Sequence, residues 1–222
     1  MRWRSAVFVA CWALLLPATA AAATMRTAGF QFQADGLTQS PSGHVAAAGD
    51  ASLADRLGGG GGFALTASLG VRPHLALAAR VAYFGSDHDG SLTFNDIVAG
   101  VGPFHEERRL RATVVHGLLQ YRQAVGAQFE YVLEAGGGVV SARERLVLTS
   151  ATGEKASAVG VQQDPSWLAG AALAWLAGWN ADLVAGARWI GTSTRDGAVW
   201  SSGDSPSFLT WSLGVRYPHN TH

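Results

Sequence analysis

The sequence has little that supports cross-linking, metal ligation through sulfur or contact with nucleic acid. Its 222 residues include one cysteine, Cys11, which excludes both a disulfide framework and a cysteine-based zinc site within the chain. With a single lysine, Lys155, and a net charge of zero, the chain offers no basic face to a phosphate backbone, so we expect no nucleic-acid partner. Charged residues make up only 14% and apolar residues 48%. The chain must therefore place much apolar surface somewhere.

The first residues predict an export signal. Arg2 and Arg4 give a positive start, Ala6 to Leu16 a short apolar stretch, and Pro17 to Ala23 a cleavage zone of small residues. A stretch of eleven residues is too short to span about 30 Å of hydrocarbon as a helix, which argues against a retained anchor. We expect residues 1–23 to be cleaved, leaving a mature chain without cysteine.

Apolar residues alternate with small or polar ones in many segments after residue 23. In Phe63 to Arg72 the odd positions are large and apolar, and the even ones are Ala, Thr, Ser, Gly and Arg. Side chains of a strand point to opposite faces in turn, so such a segment has one apolar face. Eight candidate strands result: Thr27 to Asp35, Phe63 to Arg72, Leu75 to Tyr83, Leu110 to Arg122, Ala127 to Glu134, Trp167 to Trp179, Asp182 to Trp189 and Phe208 to Tyr217.

The connections between these strands alternate in length. Three are tight: Arg72 to His74, Gln123 to Gly126 and Gly178 to Asn180. Four are long: Leu37 to Gly62, Gly85 to Arg108, Arg143 to Pro165 and Thr192 to Pro206. Short turns at one end and long loops at the other are typical of a transmembrane β-barrel. We predict an all-β fold, an eight-stranded antiparallel up-and-down barrel with short periplasmic turns and long extracellular loops.

Residue size and charge decide which face points inward. An eight-stranded barrel leaves just enough room inside for side chains, and the several tryptophans of the apolar face would overcrowd it. The seven charges of the five clearest strands all lie on the opposite face: Arg72, Arg80, Glu130, Glu134, Asp182, Arg188 and Arg216. A charge facing lipid at mid-depth costs roughly 2–4 kcal/mol. We therefore expect the apolar face to contact lipid, with aromatic girdles near both strand ends.

These features resemble the small OmpA/OmpX-like outer-membrane barrels of Gram-negative bacteria. The resemblance covers residues 24–217 as the barrel and leaves 218–222 as a short tail. It implies an outer-membrane location, contact with membrane lipid and lipopolysaccharide, and recognition by the barrel-assembly machinery. We further expect a monomer whose loops could bind an extracellular ligand. Leu209 to Tyr217 is similar to the terminal strand of such proteins, although five residues come after it.

The predicted interior carries the most informative polar residues. We expect a packed network that closes the lumen, because buried charges must pair, built from Arg80, His116, Gln120, Glu130, Glu134, Arg188 and Arg216. A narrow channel lined by the same residues is the alternative. We predict neither a cofactor nor a metal site, since Asp87 to Gly90 lacks the later ligands of a calcium loop.

A lipid-modifying enzyme, such as a lipid A deacylase, is a second alternative. Nucleophilic catalysis needs a base within hydrogen-bond reach of the nucleophile. His116 is the only histidine inside a clear predicted strand, and its position predicts that it faces the lumen. We therefore expect a non-enzymatic protein with a structural or surface-interaction role.

Overall fold

The structure, a computed structural model, describes residues 29–42, 59–93, 103–176, 181–193 and 207–218. These residues form eight β-strands. Their bounds are β1 Phe30–Ser42, β2 Gly60–Arg72, β3 Leu75–Thr93, β4 Pro103–Val125, β5 Phe129–Thr149, β6 Lys155–Trp175, β7 Asp182–Thr192 and β8 Ser207–Pro218. None of the described residues belongs to a helix long and apolar enough to cross a membrane.

The strands pair in sequence order and β8 pairs with β1, which closes the sheet into a barrel. Every pairing is antiparallel. If the paired residues are traced around the barrel from Phe32, the path returns to β1 at Ser42, ten residues farther along. This stagger tilts the strands, as closure requires. The predicted all-β up-and-down barrel is confirmed.

Two of the predicted tight turns lie in the described part. Pro73 and His74 join β2 to β3, and residues 126–128, rather than the predicted Gln123 to Gly126, join β4 to β5. Gly126 has a φ of 66°, a left-handed conformation that a residue without a Cβ adopts freely. These turns mark one end of the barrel, called the turn end below. The third predicted turn, 178–180, lies outside the described residues.

Four strands extend well beyond the sequence prediction. β3 to β6 have 19 to 23 residues each, and Arg143 to Pro165, predicted as a long loop, is mostly strand. Only residues 150–154 connect β5 to β6. The alternation of apolar and polar residues in the sequence is lost here, because a strand that extends beyond the apolar outer surface of the barrel needs no apolar face. Its backbone pairing with the neighbouring strands continues. Residues 43–58, 94–102 and 194–206 of the other predicted loops lie outside the described part, as do the predicted signal (1–23) and residues 219–222 of the tail.

The two faces divide as predicted, with one correction. Large apolar side chains are exposed on the outside of every strand, and polar side chains are buried inside. Arg72, predicted to face inward, is exposed. The pairing of β2 with β3 shifts between Gly70 and Arg72, and this irregularity breaks the alternation before the turn. The first strand, predicted as Thr27 to Asp35, begins at Phe30 and ends at Ser42.

Candidate functional site: the barrel interior and its outer rim

The interior near the turn end is built around two arginines. Arg216 donates hydrogen bonds to Glu130 at 2.6 Å and to Asp182 at 2.8 Å. Arg122 donates to the Gln31 side chain, to Ser68 at 2.8 Å and to Gln120 at 2.5 Å. Bonds that run across the lumen from several strands hold this layer together.

Two further ion pairs lie deeper inside. Arg80 donates to Asp35 at 2.9 Å and to Thr66 at 3.0 Å. Both side chains of this pair are nearly inaccessible to solvent, with exposed fractions of 2% and 0%.

The second pair joins β5 to β7. Arg188 forms a salt bridge with Glu134 and donates to Ser212 at 2.5 Å, while Gln120 donates to the other oxygen of Glu134 at 3.0 Å. Gln120 also accepts a bond from Arg122, so this pair is continuous with the layer at the turn end.

The charges of this inner network balance. Its four arginines, Arg80, Arg122, Arg188 and Arg216, face four carboxylates, Asp35, Glu130, Glu134 and Asp182. Buried charge is tolerated when it is paired and hydrogen-bonded. A small polar recess lined by Gln33, Glu134 and Arg188 lies among these side chains.

His116 and Ser166 form a separate polar contact within the lumen. Nε2 of His116 lies 3.0 Å from Oγ of Ser166, and both residues are buried. This distance would allow a histidine to activate a serine nucleophile. Both side chains nevertheless point inward, away from any acyl chain outside the barrel. The contact satisfies two buried polar groups.

An apolar layer lies beyond the ionic network, on the side away from the turns. Along β4, the inward positions run from His116 through Val114 to Leu110 and only then to Arg108. Phe84 and Phe208 lie across this layer with ring centroids 5.3 Å apart. The layer also contains Leu37, Leu110, Val114, Val140, Leu168 and Ile190, all buried. Apolar side chains dominate this layer, although the buried polar residues Ser86 and Asp164 are paired with two of its members.

A smaller ionic cluster lies beyond the apolar layer. Arg108 contacts Glu106 at 2.8 Å and Glu144 at 3.0 Å, and all three residues are buried. Burial raises the pKa of the Glu144 carboxyl above its ordinary value, and the nearby Arg108 opposes that shift. Among the described residues, inward side chains thus fill the barrel at three successive levels.

The outside of the barrel carries an apolar belt, bounded above and below by two girdles of aromatic side chains. Phe63, Tyr83, Trp167, Trp189 and Trp211 lie on the side away from the turns, and Phe30, Tyr121, Phe129, Trp175 and Tyr217 on the turn side. On β6 the two girdles are eight residues apart, from Trp167 to Trp175. That spacing is about 26 Å along the strand, or roughly 20 Å in height at the usual tilt.

The outward face changes character abruptly beyond the belt. Tyr83 pairs with Thr113, and Thr113 pairs with Ser141. Between this line and the aromatic girdle at the turn end, the outward residues of β3 to β5 are uncharged. On the side of the line away from the turns, the next outward residues of β4 and β5 are Arg111 and Arg143. We call this line the boundary line.

All seven interior residues that the sequence singled out lie inside the barrel. Six are buried and Glu130 is half-buried. Their bonds form three separate sets: Gln120 and Arg188 both contact Glu134, Arg216 contacts Glu130, and Arg80 contacts Asp35. His116 contacts Ser166. Asp35, Arg122 and the cluster around Arg108 were not among the interior residues predicted from the sequence. Glu106 and Arg108 are two residues apart, which places them on one face of a strand, so extending β4 outward would have found them.

The described residues offer no group of three or more His, Cys, Asp or Glu side chains that could hold a metal ion. The carboxylates of the inner network are instead occupied by guanidinium groups.

No protein-family model matches the chain, and no curated protein sequence matches it. Solved structures do match. Neisserial surface protein A is 15% identical with a TM-score of 0.52, covering 86% of this chain and 97% of its own. A major outer membrane protein from Thermus thermophilus is 15% identical with a TM-score of 0.52, covering 86% and 99%. OprG from Pseudomonas aeruginosa is 12% identical with a TM-score of 0.51, covering 88% and 98%. The fold is that of the small outer-membrane β-barrels, which confirms the predicted resemblance.

Proposed function

We propose that this protein is an integral outer-membrane β-barrel with a structural or surface-interaction role and an interior closed to ions. The observation that carries the proposal is the pairing of an exposed apolar belt with a charge-balanced, buried ionic network. An exposed apolar surface that surrounds a whole barrel is far larger than the patches of a few hundred Å² that soluble monomers tolerate. Lipid is the solvent in which such a belt is stable.

The closed sheet supports a monomeric protein in the membrane. In hydrocarbon every backbone polar group must be bonded within the protein, and a barrel without an edge achieves this. β1 pairs with β8 over twelve residue pairs, so the described strands leave no open edge for a second copy.

The packed interior favours a plug over a channel. The ion pairs near the turns, the apolar layer and the Arg108 cluster lie in series along one narrow lumen. An ion would have to separate balanced pairs and then cross a predominantly apolar layer, and both steps are costly.

Location and folding are tested by fractionation. We expect the protein in the outer-membrane fraction, migrating on a gel at a different position when unheated than after boiling. Recovery of the protein from the periplasm as a soluble species that needs no detergent would contradict the proposal.

Planar-bilayer recording tests the closed lumen. We expect no steps of single-channel current from the wild-type barrel. A variant with both Phe84→Ser and Phe208→Ser serves as the control, because it removes the largest side chains of the apolar layer and should increase leakage. Regular current steps from the wild-type protein would establish the channel alternative.

We also propose that the protein has no catalytic role, and the buried His116–Ser166 contact supports this part. A mass-spectrometric profile of lipid A from cells with and without the protein is expected to be the same. Loss of an acyl chain that depends on the wild-type protein and disappears in Ser166→Ala would establish a lipid-modifying enzyme.

A further inference from the structure

Four arginines form a compact group on the outside of β4 and β5, immediately beyond the boundary line. Arg111 pairs with Arg143, and Arg109 pairs with Arg145 in the next outward register. All four point to the outer surface, where Arg109, Arg143 and Arg145 are exposed and Arg111 is partly covered. We call this group the arginine face.

The arrangement is electrostatically unfavourable without a partner. Like charges directly opposite each other on neighbouring strands destabilise a sheet. Arg111 is compensated by Asp87, to which it donates two hydrogen bonds at 3.0 and 3.2 Å. Arg109, Arg143 and Arg145 have no carboxylate within ion-pair distance among the residues that the structure describes. Three guanidinium groups therefore remain available to an anion.

The depth of the face indicates which anion it meets. Arg111 and Arg143 are two residues beyond the boundary line, and Arg109 and Arg145 are four beyond it. At about 3.3 Å per residue, the face begins about 7 Å past the belt along the strands and extends to about 13 Å. It also points in the same direction as the apolar belt. Resting on the proposed membrane location, this is the depth at which the headgroups of the outer leaflet surround the barrel.

We propose that the arginine face binds the phosphate groups of the outer-leaflet glycolipid, lipopolysaccharide. Guanidinium groups bind phosphate oxygens through paired hydrogen bonds, and Arg suits this role better than Lys because its donors lie in one rigid plane. The chain has sixteen basic residues, of which one is lysine, so guanidinium groups carry almost all of its positive charge. Each phosphate would bridge two arginines and remove their mutual repulsion.

The test measures binding of the purified wild-type barrel in detergent to lipopolysaccharide and to the same glycolipid after enzymatic removal of its phosphates. We expect wild type to bind the phosphorylated form at least about tenfold more tightly, as the loss of charge-assisted hydrogen bonds implies. The combined variant Arg109→Gln, Arg143→Gln, Arg145→Gln should lose that preference. It leaves the Asp87–Arg111 pair intact.

Arg72→Gln is the matched control, because Arg72 is an exposed arginine on the outside of the barrel at the turn end. We expect this variant to retain the wild-type preference. Inorganic phosphate in millimolar excess should not compete, which separates a headgroup site from a site for the free ion. If the combined variant does not fold, the wild-type comparison of the two glycolipids still decides the proposal.

A folded, heat-modifiable wild-type barrel that binds both glycolipids equally would overturn the arginine face as a phosphate site and leave the membrane proposal standing. Equal binding of wild type and the combined variant would overturn it as well, and so would a preference for a sulfated polysaccharide over the glycolipid. A protein that needs no detergent would instead contradict the membrane location itself.

Discussion

Individual charged residues of the interior act through their partners. Glu134 accepts bonds from Arg188 and Gln120, which in turn contact Ser212 and Arg122. The removal of one carboxylate therefore leaves a buried arginine without its charge partner. A buried pair adds little stability compared with an apolar pair, but breaking it by removing one partner is costly.

Glu134→Ala should lower the free energy of unfolding by about 3–5 kcal/mol, because it leaves Arg188 charged and unpaired in the lumen. Urea titration of the barrel in lipid vesicles, monitored by tryptophan fluorescence, measures the change. The control is Glu134→Gln combined with Arg188→Met, which removes both charges and should recover most of the loss. An unchanged unfolding midpoint for Glu134→Ala would contradict the ionic network as a stabilising feature.

Glu144 should make stability depend on pH in the opposite sense from an ordinary ion-paired carboxylate. Its pKa is raised by burial, so the folded protein binds the proton more tightly than the unfolded chain. The stabilisation is complete below the unfolded pKa and is lost as pH rises through the raised folded value. Glu144→Gln cannot ionise, and its stability relative to wild type should therefore increase from acidic to neutral pH.

Urea titrations of Glu144→Gln and wild type at several pH values between about 4 and 7 test this expectation. Glu107→Gln is a suitable control, since Glu107 is a partly exposed carboxylate on the opposite face of β4. A relative stability of Glu144→Gln that falls with rising pH would show that the ion pair with Arg108 outweighs burial.

At the scale of elements, β5 contains glycines that permit its close approach to β4. A Cβ on Gly138 would meet the carbonyl oxygen of Val115, and one on Gly136 would meet that of Gly117. Gly137, which lies between them and points outward, has room for a Cβ, which would lie in ordinary contact with the carbonyl oxygen of Ser166 at 3.6 Å. Glycine is therefore required at the inward positions of this part of β5 and not at the outward position between them.

Gly138→Ala should lower the free energy of unfolding by about 1–3 kcal/mol, because overpacking forces backbone shifts between β4 and β5. Gly137→Ala is the adjacent control and should leave stability nearly unchanged. Urea unfolding of both variants, compared at equal lipid composition, measures the difference. Equal stability of the two variants would show that the sheet relaxes without cost.

The extent to which the sequence predicts each strand depends on what surrounds it. The belt segments were predictable because lipid outside and polar groups inside impose a strict alternation, as in Leu75 to Tyr83. The outer half of β5 was not, because Arg143 and Arg145 face outward and no apolar residue marks that face there. Backbone hydrogen bonds alone continue the strand, and those are independent of side-chain type.

The interior was predictable only in part for a similar reason. Alternation places Glu134 and Arg188 on the inward face, but their pairing depends on the stagger between strands, which brings β5 and β7 side chains together across β6. The partner of Arg80 is Asp35, on a weakly patterned strand that is 45 residues away in sequence. Such contacts depend on barrel geometry and not on local spacing.

At the scale of the whole molecule, one sheet separates two environments that the sequence mixes residue by residue. The outer surface is an apolar belt bounded by two girdles of aromatic side chains, with arginines beyond the girdle that lies away from the turns. From the turn end outward, the inner surface is first ionic, then mainly apolar, then ionic again. The proposed membrane location and the proposed phosphate contacts both depend on the belt facing hydrocarbon. The orientation of that belt is thus the central claim.

The most direct test of this claim attaches a nitroxide spin label at successive positions of β5 and measures its collisions with oxygen and with a water-soluble nickel complex in lipid vesicles. A chain expressed without residues 1–23 has no other cysteine, so single cysteines can replace each residue from Tyr131 to Val139. We predict that outward positions such as Leu133 and Val139 are accessible to oxygen and shielded from nickel, alternating with inward positions that neither reagent reaches. High nickel accessibility at Leu133 and Val139 would place the belt in water and contradict the account.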